Sequence, residues 1–488
     1  MNNSISATWR VATSPKQSPE DTMFWLLVEK DIRDIVGSPK FVISFGVCAS
    51  VILLAFYVGA MNYRASRSEY EADVVDNRRQ SENLTNWSNL QEYRVFLPPT
   101  PISSLVVGVS GDIGRAIKIS WEGLSGPYES RFGEAPVLAI FRHLDLEFLF
   151  GVLLSLFAIL MCYDSVSGEK ERGTLRLVFA NSVSRSSYLA GKMAGSLLAI
   201  GVPLLVAISV GSLILPLLGV VLSAEDWCRL AIMVICGFAY ISCFMAMSML
   251  VSSITSRSAN SLMILLVVWT ISVQLIPRIG VFLAGTLVDV PSVDDLTAQE
   301  EKFRSQSYSE YKGKLSSFRP SPNADGAQAT KESQQLMEKV LTDNYLRVQE
   351  LADRLDEDRE NKQRLRARVG LLLSRVSPYS SLSLSLSSLA GTDLTMANRF
   401  RDQAESFRRD LTAFLREKTG SYGGFGIGTY TASSGKPIDV TELPVFEYSR
   451  SSLGEVVLSA APELGLLLTC GLMAFAAAFV AFGRYDLR

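Results

Sequence analysis

Residues 41–60 read FVISFGVCASVILLAFYVGA, a run with no charged side chain. A helix rises about 1.5 Å per residue, so such a run spans about 30 Å, the thickness of the hydrocarbon core of a bilayer. It begins too deep in the chain, and lacks the small-residue cleavage site, to be a removed signal peptide. Further apolar blocks follow at 144–163, 193–222, 228–251, 259–286 and 464–483. Pro203 marks a kink in the third span, and Pro277-Arg278 follows the apolar centre of the fifth. Six membrane-spanning helices are therefore expected.

The composition agrees. The chain has 488 residues, of which 48% are hydrophobic and 20% charged. Soluble domains carry nearer 25% charge. The formal net charge is −2, which argues against nucleic acid as a partner, because such proteins concentrate Lys and Arg. One histidine, His143, cannot build a paired-histidine zinc motif. The six cysteines, Cys48, Cys162, Cys228, Cys236, Cys243 and Cys470, all fall in apolar blocks and imply no disulfide framework.

Short loops set orientation through their Lys and Arg content. Lys30, Arg33 and Lys40 precede the first span. Lys170, Arg172, Arg176, Arg185 and Lys192 fall between the second and third, Arg257 between the fourth and fifth, and Arg484 and Arg488 after the last. The link 223–227 holds Glu225 and Asp226 and no base. Both termini are expected in the cytoplasm. Residues 1–40 then form a cytoplasmic N-terminus, unstructured to Pro19, with an interfacial helix around Met23–Ile35.

Two long segments, 61–143 and 287–452, fall outside. The first opens with a charged helical stretch (64–90) and continues with β-like runs at 93–97, 104–108 and 116–120, punctuated by Pro98-Pro99 and Gly111. The second carries a stripe from Leu336 through Leu351, Leu365 and Leu372 to Val376, and another through Met396, Phe400, Phe407, Leu411 and Leu415. Two amphipathic helices with a break at Ala390-Gly391-Thr392 predict a helical hairpin. The alternating Ser/Leu run 380–388 reads as a segment near the membrane surface, and Gly420–Gly435 as a flexible loop. The expected fold is thus mainly α, a polytopic membrane protein with a large, mostly helical extracytoplasmic domain containing a small β part.

The loop 164–192 is the most informative polar segment. Gly168, Glu169, Lys170, Glu171, Arg172 and Gly173 present mixed charge; Leu175, Leu177, Val178 and Phe179 add apolar contacts. A short helix of that kind beneath a membrane suits docking into a groove of another protein. Gly168 and Gly173 have the spacing of phosphate-loop glycines, but Thr174 and Leu175 follow where Lys and Ser/Thr are needed. The other Gly-Lys pairs, at Gly191, Gly313 and Gly435, are followed by Met193, Leu315 and Pro437. Neither a phosphate loop nor a catalytic triad is recognisable, so the chain reads as a non-enzyme with no catalytic, cofactor or metal site of its own.

Ser167–Leu175, then Ser182–Arg185, then Gly191-Lys192, resembles the coupling-helix signature of type-2 ABC transporter permeases (the ABC-2 class). Pro98–Gly108 and Ser377–Thr392 are similar to patterns of a subgroup with large extracytoplasmic insertions. The resemblance implies a permease dimer, with a second copy or a paralogue, in a bacterial inner membrane. It also implies cytoplasmic ATPase subunits that bind the ATP and Mg, contacted through Gly168, Glu169, Lys170, Glu171, Arg172, Gly173, Thr174, Leu175 and Arg185. It further implies a re-entrant helix at 453–463, broken by Pro462, before the last span. Arg278, Gln274, Glu455 and Glu463 are then candidates for an outer gate, with Arg278 pairing with Glu463; the same charges also suit snorkelling at helix ends. Asp145, Glu147, Asp226 and Arg229 are candidates for an outer vestibule. The implied activity is ATP-driven export. The alternatives are mechanotransmission to a periplasmic or envelope partner without solute transport, and a membrane receptor or scaffold with no ATPase.

Overall fold

The computed structural model describes residues 19–82, 84–90, 92–108, 115–120, 123–128, 144–180, 183–317, 326–419, 439 and 442–485. His143, Ser182, Gly111, Arg488, residues 1–18 and the 420–435 loop lie outside the described residues. The chain forms two compact units, Met1–Val273 with Pro378–Arg488, and Gln274–Ser377. Among the described residues the architecture is mainly helical, with six helices long and apolar enough to cross a membrane and one small sheet.

In the first unit, helix α1 (Pro19–Val36) ends in a tight turn, where the Gly37 amide donates to the Arg33 carbonyl at 3.0 Å. Helix α2 (Pro39–Glu82) follows and contains the 41–60 block. It continues unbroken to Glu82, where separate elements were expected. The polar continuation keeps good helix formers and adds i,i+4 ion pairs, Arg67–Glu71 at 2.6 Å and Arg78–Glu82 at 3.1 Å. At 44 residues the helix is about 66 Å long, far more than the hydrocarbon core requires.

Strand β1 (Glu92–Phe96) pairs antiparallel with β2 (Ala116–Ser120), Val95 opposite Ile117, and β2 pairs antiparallel with β3 (Gly123–Tyr128). The run 104–108 is not a strand. Prolines at 98, 99 and 101 withdraw amide donors, and a single 3-10 turn, Ile102–Ser104, delivers Ile102, Leu105 and Val106 into the helical core.

The second span consists of α3 (Leu146–Phe148), a π-helical stretch Leu149–Leu154, and α4 (Ser155–Cys162). Loosened i→i+5 pairing in such a stretch frees carbonyls for other donors. The Gly151 carbonyl accepts from Tyr240 Oη at 2.9 Å and Ser155 Oγ at 2.7 Å. Two short helices follow, α5 (Ser167–Glu171) and α6 (Thr174–Phe179), then the spans α7 (Arg185–Leu217) and α8 (Ala224–Ile254). The fifth span runs through α9 (Ser258–Thr270), a π-helical stretch Ile271–Leu275, and α10 (Ile276–Leu287).

Helices α2, α7 and α8 and the second span bury one continuous apolar core. The tightest approach is between Gly237 of α8 and the fully buried Phe150 ring, which occupies the place a Cβ at 237 would take. Gly237→Ala should therefore cost about 1–3 kcal/mol by overpacking. Thermal unfolding of the detergent-solubilised protein checks this; an unchanged midpoint would show that the ring can yield.

Helix α11 (Val293–Ser317) and helix α12 (Gly326–Ser374) belong with α10 to the second unit, where α12 packs on both. Helix α13 (Pro378–Ala390) holds the Ser/Leu run, most of it buried within the protein: Leu382, Leu386 and Leu389 are inaccessible, and serine hydroxyls bond back to helix carbonyls, as Ser385 does to Ser381 at 2.8 Å. Helix α14 (Leu394–Thr419) sets Phe400, Ala404, Phe407, Leu411 and Leu415 on Leu90, Val95, Ile117 and Ile119. The two amphipathic stripes of the expected hairpin fall in different units. Helix α12 packs on α10 and α11, although Leu365, Leu372 and Val376 of the first stripe are exposed, and the second stripe covers the sheet, whose β-branched face matches its aromatic residues.

The last helix, α15 (Leu453–Gly483), is continuous. The expected re-entrant helix 453–463 and span 464–483 are one element, with Pro462 inside it. The described part of the chain thus has six candidate spans near the expected positions, and the differences concern what lies between and beyond them.

Candidate functional site

One end of the first unit gathers α1, α5, α6, the start of α7, the end of α8, the start of α9 and the end of α15. It is called the near end below, and the end carrying the sheet the far end.

At its centre Glu169, 5% exposed, meets Lys30 Nζ at 3.1 Å, Lys192 Nζ at 3.2 Å and the Tyr188 hydroxyl, which donates to it at 2.6 Å. Lys192 also reaches Asp31 at 3.2 Å, and Asp31 accepts from Ser196 Oγ at 2.8 Å. Gly195 permits this approach: a Cβ there would lie 2.8 Å from the Cβ of Asp31. Two acids and two bases thus form a charge-balanced cluster from α1, α5 and α7. Burying any one of them alone would carry a large desolvation cost, and mutual pairing offsets it.

The remaining loop residues bind helix ends. The Ser252 hydroxyl of α8 accepts from the amides of Val166 and Ser167 at 3.0 and 2.8 Å, satisfying the start of α5. Lys170 donates to the carbonyls of Ser253 and of Thr255, where α8 ends with partial negative charge, and its ammonium lies 4.4 Å from the centre of the Tyr485 ring. Glu171 accepts from the amide and hydroxyl of Ser258 at 3.1 and 2.9 Å, at the start of α9. Arg185 donates to the Phe482 and Gly483 carbonyls at the end of α15. Arg172 Nε and Thr174 Oγ1 bond the carbonyls of Gly168 and Glu169 at 3.1 and 3.4 Å. Gly173 turns the chain between α5 and α6 at φ +73°, a conformation open to glycine at little cost. Leu175 is buried among Tyr188, Leu189, Met249 and Phe482, with Tyr188 stacked on Phe482 at 5.4 Å.

The sequence reading treated the charges at 169–172 as a face offered to a partner. The structure brings all nine residues of that reading to one place; Gly168, Glu169 and Leu175 are buried, and Glu169, Lys170, Glu171 and Arg185 each bond a different helix. The surface left outside is made by Glu171, Arg172, Gly173, Arg176 and Leu177, the last 68% exposed. Sequence reasoning missed Asp31, Tyr188 and Ser196, and read Lys30 and Lys192 as topology charges. The available signal was Lys30-Asp31 interrupting an apolar helical face, with Lys192 seven residues inside the helix that forms the third span.

At the far end, Asp145 caps α3, accepting from the amides of Phe148 at 2.9 Å and Val107 at 3.3 Å, and Glu147 accepts from the Tyr379 hydroxyl at 3.0 Å. Arg229, 2% exposed, bonds Glu225 and the Ser451 carbonyl, both at 2.6 Å. Asp226 closes a capping box with Ser223 and meets Arg450 at 3.4 Å. These four expected vestibule residues pin elements together. Among the expected gate residues, Glu455 pairs with Arg399 of α14 at 2.9 Å, and Glu463 is buried within α15. Gln274 and Arg278 belong to the second unit, where both are exposed. The expected Arg278–Glu463 pair joins residues of different units and stays an expectation.

A family model described as ABC-2 family transporter protein matches residues 25–487. No curated protein matches the chain. No ATPase domain is found in it. The matched stretch contains all six spans and the near-end cluster, and over that length the chain belongs to the ABC-2 family of transporter proteins, as the membrane permease component of such a transporter.

Proposed function

We propose that the near end is a transmission site that faces the cytoplasm and receives force from a separate ABC ATPase subunit, and that the transporter is an exporter. The observation that supports this best is the set of bonds from one short segment to helix ends. Through Glu169, Lys170 and Glu171 it holds α1, α7, α8 and α9, and Arg185 at the start of α7 holds α15 in turn. A rigid displacement of that segment would move all of them together. ATP and Mg would be held by the ATPase, whose groove takes Arg172, Gly173, Arg176 and Leu177. The assembly is a dimer of permeases, with a second copy or a paralogue, in a bacterial inner membrane with both termini cytoplasmic.

Leu177→Glu should lower recovery of the ATPase with the tagged permease at least tenfold while leaving the permease's own melting temperature unchanged, since the side chain is exposed. Undiminished co-purification would overturn the docking assignment.

One observation favours mechanotransmission as a second reading. Helix α12 has 49 residues, about 74 Å, which suits passing motion to an envelope partner without solute crossing. A permease whose ATPase turnover is unaffected by any exported solute, and whose α12 cross-links to an envelope protein, would support it. The receptor reading gains nothing from the family match, because the family is one of transporters. The gate candidates Gln274, Arg278, Glu455 and Glu463 remain a proposal for the outer side of the path.

A further inference from the structure

Two of the spans leave α-helical pairing, and they do so at one level. The second span changes to π-helical pairing over Leu149–Leu154 and the fifth over Ile271–Leu275. On the near-end side of these stretches, two side-chain bonds join the spans. The Ser261 hydroxyl donates to the Tyr163 carbonyl at 2.8 Å, and the Trp269 indole Nε1 donates to Ser155 Oγ at 2.9 Å. The step from Ser261 to Trp269 equals that from Tyr163 back to Ser155, eight residues on each chain segment, about 12 Å along a helix. Helices α4 and α9 therefore run antiparallel in matched register, as a ladder with two rungs. At the second rung α-helical pairing ends in both spans.

Each stretch has a local cause. Pro277 has no amide to give the Val273 carbonyl, which loosens the fifth span over the preceding turn. In the second span, an α-helix would pair the Gly151 carbonyl with the Ser155 amide. Here that amide donates to the Val152 carbonyl, and the Gly151 carbonyl accepts from the Ser155 hydroxyl at 2.7 Å and from Tyr240 Oη of α8 at 2.9 Å. Hydrocarbon offers no water to a freed carbonyl, so these side chains are what make the π pairing tolerable. Ser155 Oγ also lies 3.0 Å from the Val152 carbonyl, and it is the atom that Trp269 bonds. One oxygen thus connects the irregular pairing of the second span with the residue two positions before the irregular pairing of the fifth. The boundary of the first compact unit, at Val273, falls inside that second stretch. Irregular pairing in a span is where a helix bends at least cost.

We propose that the two π-helical stretches form one joint, at which the second and fifth spans bend together, and that Trp269 is the positioning residue that couples them through Ser155. The ladder of α4 and α9 moves as a block on the near-end side of the joint. A displacement reaching the start of α9 through Glu171 would then bend both spans at one level. The joint itself rests on the bonds within this chain and not on the assignment of an ATPase partner.

The test is amide hydrogen exchange of the full chain in phospholipid nanodiscs, read by mass spectrometry on peptides covering 149–155, 271–276 and, as a folding control, 247–254 of α8. Tyr240→Phe removes a donor to the first stretch only. It should speed exchange at least about fivefold in both stretches. In a Trp269→Phe background the same change should speed 149–155 and leave 271–276 as Trp269→Phe alone leaves it. Ser155→Ala, which removes the shared oxygen, should break the transmission in the same way. Thr270→Val removes a bond within α9, from Thr270 Oγ1 to the Leu266 carbonyl at 2.8 Å, and should leave 149–155 unchanged. The control peptide should not change in any variant. A Tyr240→Phe effect confined to 149–155, an effect on 271–276 that persists without Trp269, no effect on either stretch, or an equal rise in the control peptide would each overturn the proposal.

Discussion

Glu169→Gln is expected to destabilise the purified chain by about 3–5 kcal/mol, the usual cost of removing one partner from a buried charge cluster. Two acids and two bases balance there, and the change leaves Lys192 with a single carboxylate, Asp31, and removes the carboxylate that Lys30 meets. Lys30 is half exposed and can turn to water, whereas Lys192 cannot. The loss therefore falls on the contact between α5 and α7. The Tyr188 hydroxyl keeps an acceptor in the amide oxygen, so the effect isolates charge from hydrogen bonding. Glu169→Gln combined with Lys192→Gln restores neutrality and should cost less than the sum of the single changes. A thermal or denaturant series in detergent, read as a double-mutant cycle, checks both statements. Strict additivity would mean that the cluster is not one unit.

Phe407→Ala should cost about 3–5 kcal/mol, confined to the far end. Phe407 is the centre of the apolar layer between α14 and the sheet, 5.7 Å from the Tyr93 ring and 5.5 Å from that of Phe446. It is 7% exposed and takes no part in the helical core of the spans. Its loss should open the sheet and α14 while the spans stay folded, giving an early protease-sensitive transition in the far-end residues. Phe407→Leu keeps most of the volume and should cost under about 1.5 kcal/mol. A single transition shifted as a whole would show instead that sheet and spans unfold together.

The spans were legible because a bilayer imposes one rule, a long apolar helix, and few soluble elements imitate it. The amphipathic stripe of α14 was legible for the same kind of reason, but not what covers it. A 3.6-residue repeat states that a face is buried and is silent about the partner. The reading paired α14 with α12, and β1 and β2 took that place. Strand β3, sequence GLSGPY, has the composition of a turn and becomes a strand only because β2 offers it an open edge. The near-end segment was found from its residues, but not the bonds that Glu169 and Lys170 make inside the protein. Glu169 and Lys170 look like surface charges in sequence. They are drawn inward by Lys30, Lys192, Tyr188 and the carbonyls ending α8, which lie about 20 to 140 residues away along the chain. Long-range charge pairing of that kind leaves no periodic mark. The only local hint is a charge standing where the pattern asks for an apolar residue, as Asp31 and Lys192 do.

The proposed function requires the near end to face the cytoplasm and to be covered there by a separate ATPase subunit. The most direct test is to place one cysteine at Leu177 in a background free of the six native cysteines, and to measure its reaction with a membrane-impermeant maleimide. A cytoplasmic near end predicts no labelling in intact cells, full labelling in inside-out vesicles stripped of peripheral proteins, and protection when the ATPase is restored. Labelling in intact cells would place the segment on the outer face and contradict it.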